Sequence, residues 1–159
     1  QLDLARTELD NRGVAYGEIK LGAMIEVPAA ALSLPTFLKY FDFLSLGTND
    51  LIRYTLAIDR ADETVAHLYD PLNPAVLQLI AQTISASVTQ GKSVSVCGEM
   101  ACDTSMTRLL LGMGLRSFSM HPAQLLAVKQ EVLRSDTAKL QDLAQRVMCA
   151  DDPAAELAR

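Results

Sequence analysis

Asp42–Arg60 reads DFLSLGTNDLIRYTLAIDR, and this stretch decides the fold. Phe43, Leu44 and Leu46 form a short apolar run, interrupted by Ser45, of the length of a buried strand. Gly47 ends the run, where glycine lets the backbone turn sharply and come close to a ligand. Thr48, Asn49 and Asp50 then place three oxygen-bearing side chains at the strand's C-terminal end, and Leu51, Tyr54 and Ile58 follow at helical spacing. A strand that passes through glycine and polar oxygens into a helix is where α/β proteins put ligand and metal chemistry. Asp and Asn there suit a hard cation such as Mg²⁺. Asp59 and Arg60 close the stretch, Arg60 offering a planar cation to phosphate or carboxylate.

Similar strand ends lie on both sides. Upstream, Gly22–Pro28 is an almost continuous apolar run with one acid, Glu26. Such runs mark strands covered on both faces, where a lone carboxylate is costly unless it is paired or bound to metal. Taken alone, Glu26 reads as a rim acid facing an arginine. Downstream, Ser93–Cys97 alternates and then meets Gly98 and Glu99. Three strands thus carry polar residues at the same end, and in a parallel sheet those ends share one face. That convergence favours the metal-ligand reading of Glu26.

The rest of the chain supplies helices between strands. Residues 1–12 form a helix ended by Gly13. Residues 29–40 form a helix interrupted by Pro35, and 62–69 a short helix or turn. Asn73 and Pro74 are a cap and first-turn pair opening a helix to Gln90. Asp103 or Thr104 starts a helix to about Met113, with Met106, Leu109 and Leu110 inward. Ser117–Met120 is expected as a fourth strand. His121–Pro122 opens a helix to about Leu133 with Leu125, Leu126, Val128 and Val132 as its inner stripe, and a last helix spans about Asp136–Cys149. The alternation predicts an α/β fold with a parallel sheet and right-handed crossovers. Residues 1–150 form one domain and 151–159 a tail, expected to fray after Pro153.

Composition excludes several functions. Of 159 residues, half are hydrophobic, with 4 Phe, 4 Tyr and no Trp, so the core is aliphatic. The net charge of −5 and the lack of a basic run argue against nucleic acid as a partner. No apolar run reaches the roughly 18 residues of a membrane-inserted helix. Three cysteines (Cys97, Cys102 and Cys149) without a CxxC pair point to a reducing, cytoplasmic setting rather than disulfides or zinc.

Five segments, MIEVPAA (Met24–Ala30), LGTNDLIRYTLAIDR (Leu46–Arg60), HLYDPLNPAVLQLI (His67–Ile80), VCGEMACD (Val96–Asp103) and LLLGMGLRSFSM (Leu109–Met120), together resemble successive motifs of the phosphoenolpyruvate-utilising enzymes. The continuation YTLAIDR and the later HLYDPLNP are most similar to the phosphoenolpyruvate–protein phosphotransferases of the bacterial sugar phosphotransferase system. GTNDL alone also fits pyruvate phosphate dikinase or phosphoenolpyruvate synthase. The resemblance implies a TIM (β/α)₈ barrel binding phosphoenolpyruvate and Mg²⁺, with Mn²⁺ as a substitute, at its strand ends. It implies Glu26 and Asp50 as metal ligands, Asn49, Asp50 and Arg60 as substrate-binding residues, and Cys97 as the acid that protonates C3 of the enolate as pyruvate forms. A histidine phosphocarrier protein is the implied phosphoryl acceptor. Arg53, where a neutral polar residue is common in the motif, reads as a surface variation. His67 and His121 match no phosphohistidine context and read as structural, and Cys102 and Cys149 read as structural or incidental.

A barrel of this type takes about 250 residues, so the expectation is the C-terminal half of a barrel, its last four strands, from a longer phosphotransferase. Four parallel strands cannot close a cylinder. Inward-facing side chains, among them Ile25 or its neighbours and Val94 or Val96, are then expected to lose the opposite wall, and a second copy, forming a homodimer, to cover them. A non-catalytic dimerisation module is the alternative from another functional class.

Overall fold

The computed structural model describes residues 1–59, 62 and 64–158. Three parallel strands, β1 (Gly22–Ile25), β2 (Phe43–Gly47) and β3 (Ser93–Cys97), lie in the order β1-β2-β3. Gly22, Ala23, Met24 and Ile25 pair with Phe43, Leu44, Ser45 and Leu46, and β2 continues the register onto Ser93–Cys97. The chain is therefore α/β with a small parallel sheet whose strands follow sequence order.

Helices cover one face. Side chains in register share a face. The row Ile25, Leu46 and Val96 is completely buried, as Leu44 and Val94 nearly are. Over them pack α4 (Thr48–Leu56) and α5 (Pro74–Thr89), through Leu51, Ile52, Val76, Leu77, Ile80 and Ile84. Two shorter helices, α2 (Pro28–Leu32) and α3 (Leu34–Tyr40), bridge β1 and β2; the predicted interruption falls at Ser33, ahead of Pro35. This corrects the expectation for Val94 and Val96, which point into the helix layer as Ile25 does, whereas Met24, next to Ile25, lies on the other face. The face without helices carries Met24, Phe43, Ser45, Ser95 and Cys97 instead, with Met24 half exposed. Tyr54 is likewise exposed, and α4 buries Thr48, Leu51 and Ile52 instead.

Beyond β3 come α6 (Glu99–Cys102), α7 (Thr104–Gly112), α8 (Leu125–Arg134), α9 (Thr137–Cys149) and α10 (Pro153–Leu157). Gly112 brings α7 against the backbone of α9, where an added Cβ would lie 2.2 Å from the Leu140 carbonyl oxygen. The expected fourth strand reduces to one parallel bridge between Val96 and Phe118, in which Ser119 N–H donates to Val96 O and Val96 N–H to Ser117 O. Pro122 begins a 3₁₀ turn four residues later. On α8 only Val128 is buried, and Leu125, Leu126 and Val132 are exposed, contrary to the expected stripe. The tail is ordered through α10: Asp152 caps it, Pro153 is buried, and Arg146 pairs with Glu156 at 2.8 Å. At the other end α1 (Leu2–Asn11) buries no residue, and Leu4, Ile19 and Leu21 are exposed. No helix among the described residues is long and apolar enough to cross a membrane.

Candidate functional site

The C-terminal strand ends bring three short segments to one edge of the sheet. β1 leads into half-buried Glu26. β2 passes without a loop into α4, so Thr48, Asn49 and Asp50 occupy its first turn, where backbone N–H groups are unpaired within the helix and favour negative charge. β3 ends at Cys97 and continues through Gly98 into Glu99 and α6.

Two hydrogen bonds tie the second segment to the third. Fully buried Thr48 donates its hydroxyl to the Cys97 carbonyl at 2.8 Å. The Asn49 side-chain oxygen accepts from the Glu99 backbone N–H at 3.0 Å. Gly98 sits between these ties at φ 99° and ψ −170°, a conformation nearly restricted to glycine. An added Cβ would stand 2.8 Å from both the Asn49 side-chain oxygen and the Thr48 hydroxyl. The backbone after Cys97 is therefore clasped from both sides.

Cys97 is half-buried on the sheet face without helices. Its Sγ donates to the Leu46 carbonyl at 3.3 Å and accepts from the Ser45 hydroxyl at 3.7 Å; Ser95 donates to Ser45 at 3.2 Å. Cys97 opens onto a depression of about 350 Å³ lined also by Asn49, Glu99, Cys102, Ser119 and His121. A hollow of about 520 Å³ between α3 and α5 is larger, but its lining, including Leu34, Leu38 and Ala86, is mostly apolar and lies away from the strand ends.

The remaining expected residues are placed as follows. Glu26 lies over Gly47, whose added Cβ would be 3.1 Å from a Glu26 carboxylate oxygen, so glycine there leaves that carboxylate its space. Asp50 is half-exposed and pairs with Arg53 at 3.2 Å; Arg53 also approaches Asp59 at 3.8 Å. Arg53 Nε is buried with no hydrogen-bond partner among the described residues. Arg53 thus bridges two acids at the half-exposed surface. Arg60, expected on phosphate, lies outside the described residues. Among the described residues no three His, Cys, Asp or Glu side chains converge on one point, so a cation held by Glu26 and Asp50 would fill its shell largely with water and substrate oxygens. Two hard carboxylates on neighbouring strand ends fit Mg²⁺ in that manner. His121 caps the 3₁₀ turn, its Nδ1 accepting from Ala123 N–H at 3.2 Å. All three cysteines are free thiols.

Sequence reasoning passed over Ser45 and Ser95, whose signal was the alternation in FLSLG and SVSVC. It also counted Thr48 only as one oxygen among three.

Residues 2–137 match the family model described as the phosphoenolpyruvate-binding domain of phosphoenolpyruvate-utilising enzymes. A phosphoenolpyruvate-protein phosphotransferase of Cupriavidus necator is 65% identical over 150 residues, covering 94% of this chain and 26% of that protein. Proteins of the same name from Enterococcus faecalis and Buchnera aphidicola are each 46% identical, over 144 and 132 residues. The chain spans about a quarter of the length of these relatives, 26%, 25% and 23%.

Proposed function

The chain belongs to the phosphoenolpyruvate-utilising enzymes through their phosphoenolpyruvate-binding domain, and on that premise we propose that it forms part of the substrate site of a phosphoenolpyruvate–protein phosphotransferase. The whole activity would move the phosphoryl group of phosphoenolpyruvate to an enzyme histidine, then to a histidine phosphocarrier protein, and release pyruvate. The observation that carries this reading is the clasped strand end, where Thr48 and Asn49 fix Cys97 and Glu99 beside a depression.

In this reading the first turn of α4 receives the phosphate, with Asn49 and the turn's unpaired backbone N–H groups facing it. Arg60 follows in sequence as a further phosphate contact. Glu26 and Asp50 hold Mg²⁺, which supplies positive charge for the phosphoryl and enolate oxygens. When the phosphoryl group leaves, Cys97 delivers the thiol proton to C3 of the enolate, giving the methyl group of pyruvate. The Leu46 carbonyl, which accepts from Sγ, holds that proton at rest.

The strand order, parallel and sequential, supports reading the sheet as part of a (β/α)₈ barrel. Its face without helices and the exposed apolar residues of 1–21 then lie against further polypeptide, from the same protein or from a second copy in a homodimer.

The test uses the full-length protein with Glu26→Gln and Asp50→Asn. Mn²⁺ titration followed by electron paramagnetic resonance should show binding weakened at least about tenfold by either change, with phosphoryl transfer lost in parallel. Wild-type Mn²⁺ affinity in both variants would overturn the assignment.

A further inference from the structure

Cys97 does not stand alone on its sheet face. β2 and β3 are in register, so Ser45 and Ser95 are directly paired, and Cys97 lies diagonally from Ser45, two residues beyond Ser95. The hydroxyl of Ser95 donates to Ser45 at 3.2 Å, and the hydroxyl of Ser45 donates to Cys97 Sγ at 3.7 Å. The thiol's own proton points to the Leu46 carbonyl at 3.3 Å. The sulfur therefore has an acceptor for the proton it holds and a donor aimed at its lone pair. That donor serves no protonated thiol in particular. It gains most when sulfur becomes an anion, because a hydrogen bond to a charged acceptor is roughly twice as strong as a neutral one.

We propose that Ser45, oriented by Ser95, is a positioning residue for the proton-transfer step: it holds Cys97 Sγ toward the substrate and stabilises the thiolate left when the proton moves. This rests on the reading of Cys97 as the proton donor. The step balances simply. The S–H bond breaks, its proton forms the new C–H bond at C3 of the enolate, and its electron pair stays on sulfur under the Ser45 hydroxyl. Water later returns a proton to sulfur. Because the enolate carries its charge before the step and the thiolate after it, the Ser45 hydrogen bond strengthens along the reaction coordinate. It acts on turnover and not on phosphoenolpyruvate binding.

A purely structural pair of serines would make a different prediction. Ser45 and Ser95 satisfy one another across the strands, and losing that bond would lower stability without selecting one chemical step.

The experiment measures kcat, KM for phosphoenolpyruvate and the solvent deuterium isotope effect on pyruvate release. It uses the full-length protein carrying Ser45→Ala, Ser45→Thr, Ser95→Ala or Cys97→Ala. Ser45→Ala should lower kcat about 10- to 100-fold with KM unchanged, and should raise the isotope effect as proton transfer becomes limiting. Ser45→Thr, which keeps the hydroxyl, should recover most of the rate, and Ser95→Ala should lose less than Ser45→Ala. A Ser45→Ala enzyme with wild-type kcat and isotope effect, beside a crippled Cys97→Ala, would overturn this inference alone. A Cys97→Ala enzyme that turns over normally would overturn the reading of Cys97 and this inference with it. Equal losses in Ser45→Ala and Ser45→Thr, with no change in the isotope effect, would assign the serine to packing and also overturn it.

Discussion

Replacing Gly98 by alanine should damage the strand end beyond the ordinary cost of a glycine substitution. At φ 99° and ψ −170° an L side chain is strained by about 1–3 kcal/mol. The added Cβ would meet Asn49 Oδ1 and Thr48 Oγ1, each at 2.8 Å. Neither atom can retreat without breaking a hydrogen bond, from Thr48 to the Cys97 carbonyl or from Glu99 N–H to Asn49. Overpacking of this kind costs about 1–3 kcal/mol more. The expected sum is about 2–6 kcal/mol, a large part of the roughly 5–15 kcal/mol that holds a domain. Backbone hydrogen exchange in β3 and α6 of the full-length protein is the assay, and protection there should fall by about 1.5 to 4 decades. Gly91→Ala is the control: its φ of 64° is also positive, but nothing lies within 4 Å of the added Cβ. If Gly98→Ala costs no more than Gly91→Ala, Thr48 and Asn49 do not form a rigid clasp and the reasoning fails.

Other outcomes follow from the same contacts. Gly112→Ala would drive a Cβ into the Leu140 backbone, 2.2 Å from its carbonyl oxygen, and should lower protection in α9 by the equivalent of about 3 kcal/mol. Unaltered exchange in α9 would contradict that packing. Arg53→Gln removes half-exposed ion pairs and should change stability by less than about 1 kcal/mol, while raising Mn²⁺ affinity because Asp50 loses a competing cation. Weaker Mn²⁺ binding in that variant would show that Arg53 supports the site instead. The Asp62 carboxyl is held below its ordinary range, first by the Thr64 hydroxyl at 2.6 Å and then by the Thr64 backbone N–H. The folded turn thus favours the carboxylate, and its contribution is complete above the ordinary carboxyl range and is lost as acid protonates the group. Thr64→Ala should shift the Asp62 titration upward by NMR, and an unmoved midpoint would refute the cause given.

Much of this architecture was legible because its signals are local. Asn73, Asp103 and Asp136 cap their helices as their residue types suggest, accepting from the N–H groups of Ala75, Ser105 and Ala138. Glycines and polar oxygens marked the ends of the strands that pair. What stayed hidden depends on partners distant in sequence. A continuous apolar run such as Gly22–Pro28 has no alternation to tell which face meets helices, so the choice between Ile25 and its neighbours stayed open. The face of Val94 and Val96 was misjudged although SVSVC alternates, because alternation separates two faces without saying which one helices will cover. The stripe on α8 shows periodicity, yet Leu125 and Leu126 remain exposed because periodicity does not supply a partner. Arg53 reaches Asp59 only because Ala57 takes a left-handed conformation, φ 54°, and folds the chain back after α4. The Thr48–Asp50 turn was legible because adjacent residues carry it, whereas the hydrogen bonds that cross strands, from Ser95 to Ser45 and from Ser45 to Cys97, were not.

The most direct test of the proposed chemistry compares Cys97→Ala with Cys102→Ala in the full-length protein, measuring pyruvate release alongside phosphoenolpyruvate binding. Both thiols line the same depression, but only Cys97 sits on β3 with its sulfur bonded to Ser45 and Leu46; Cys102 donates to the Gly98 carbonyl at 3.6 Å. Removing a positioned general acid costs about 10²- to 10⁴-fold. The account predicts that loss in pyruvate release for Cys97→Ala, with phosphoenolpyruvate binding retained, and near-normal turnover for Cys102→Ala. Normal turnover without Cys97, or the damage falling on Cys102→Ala instead, would contradict it.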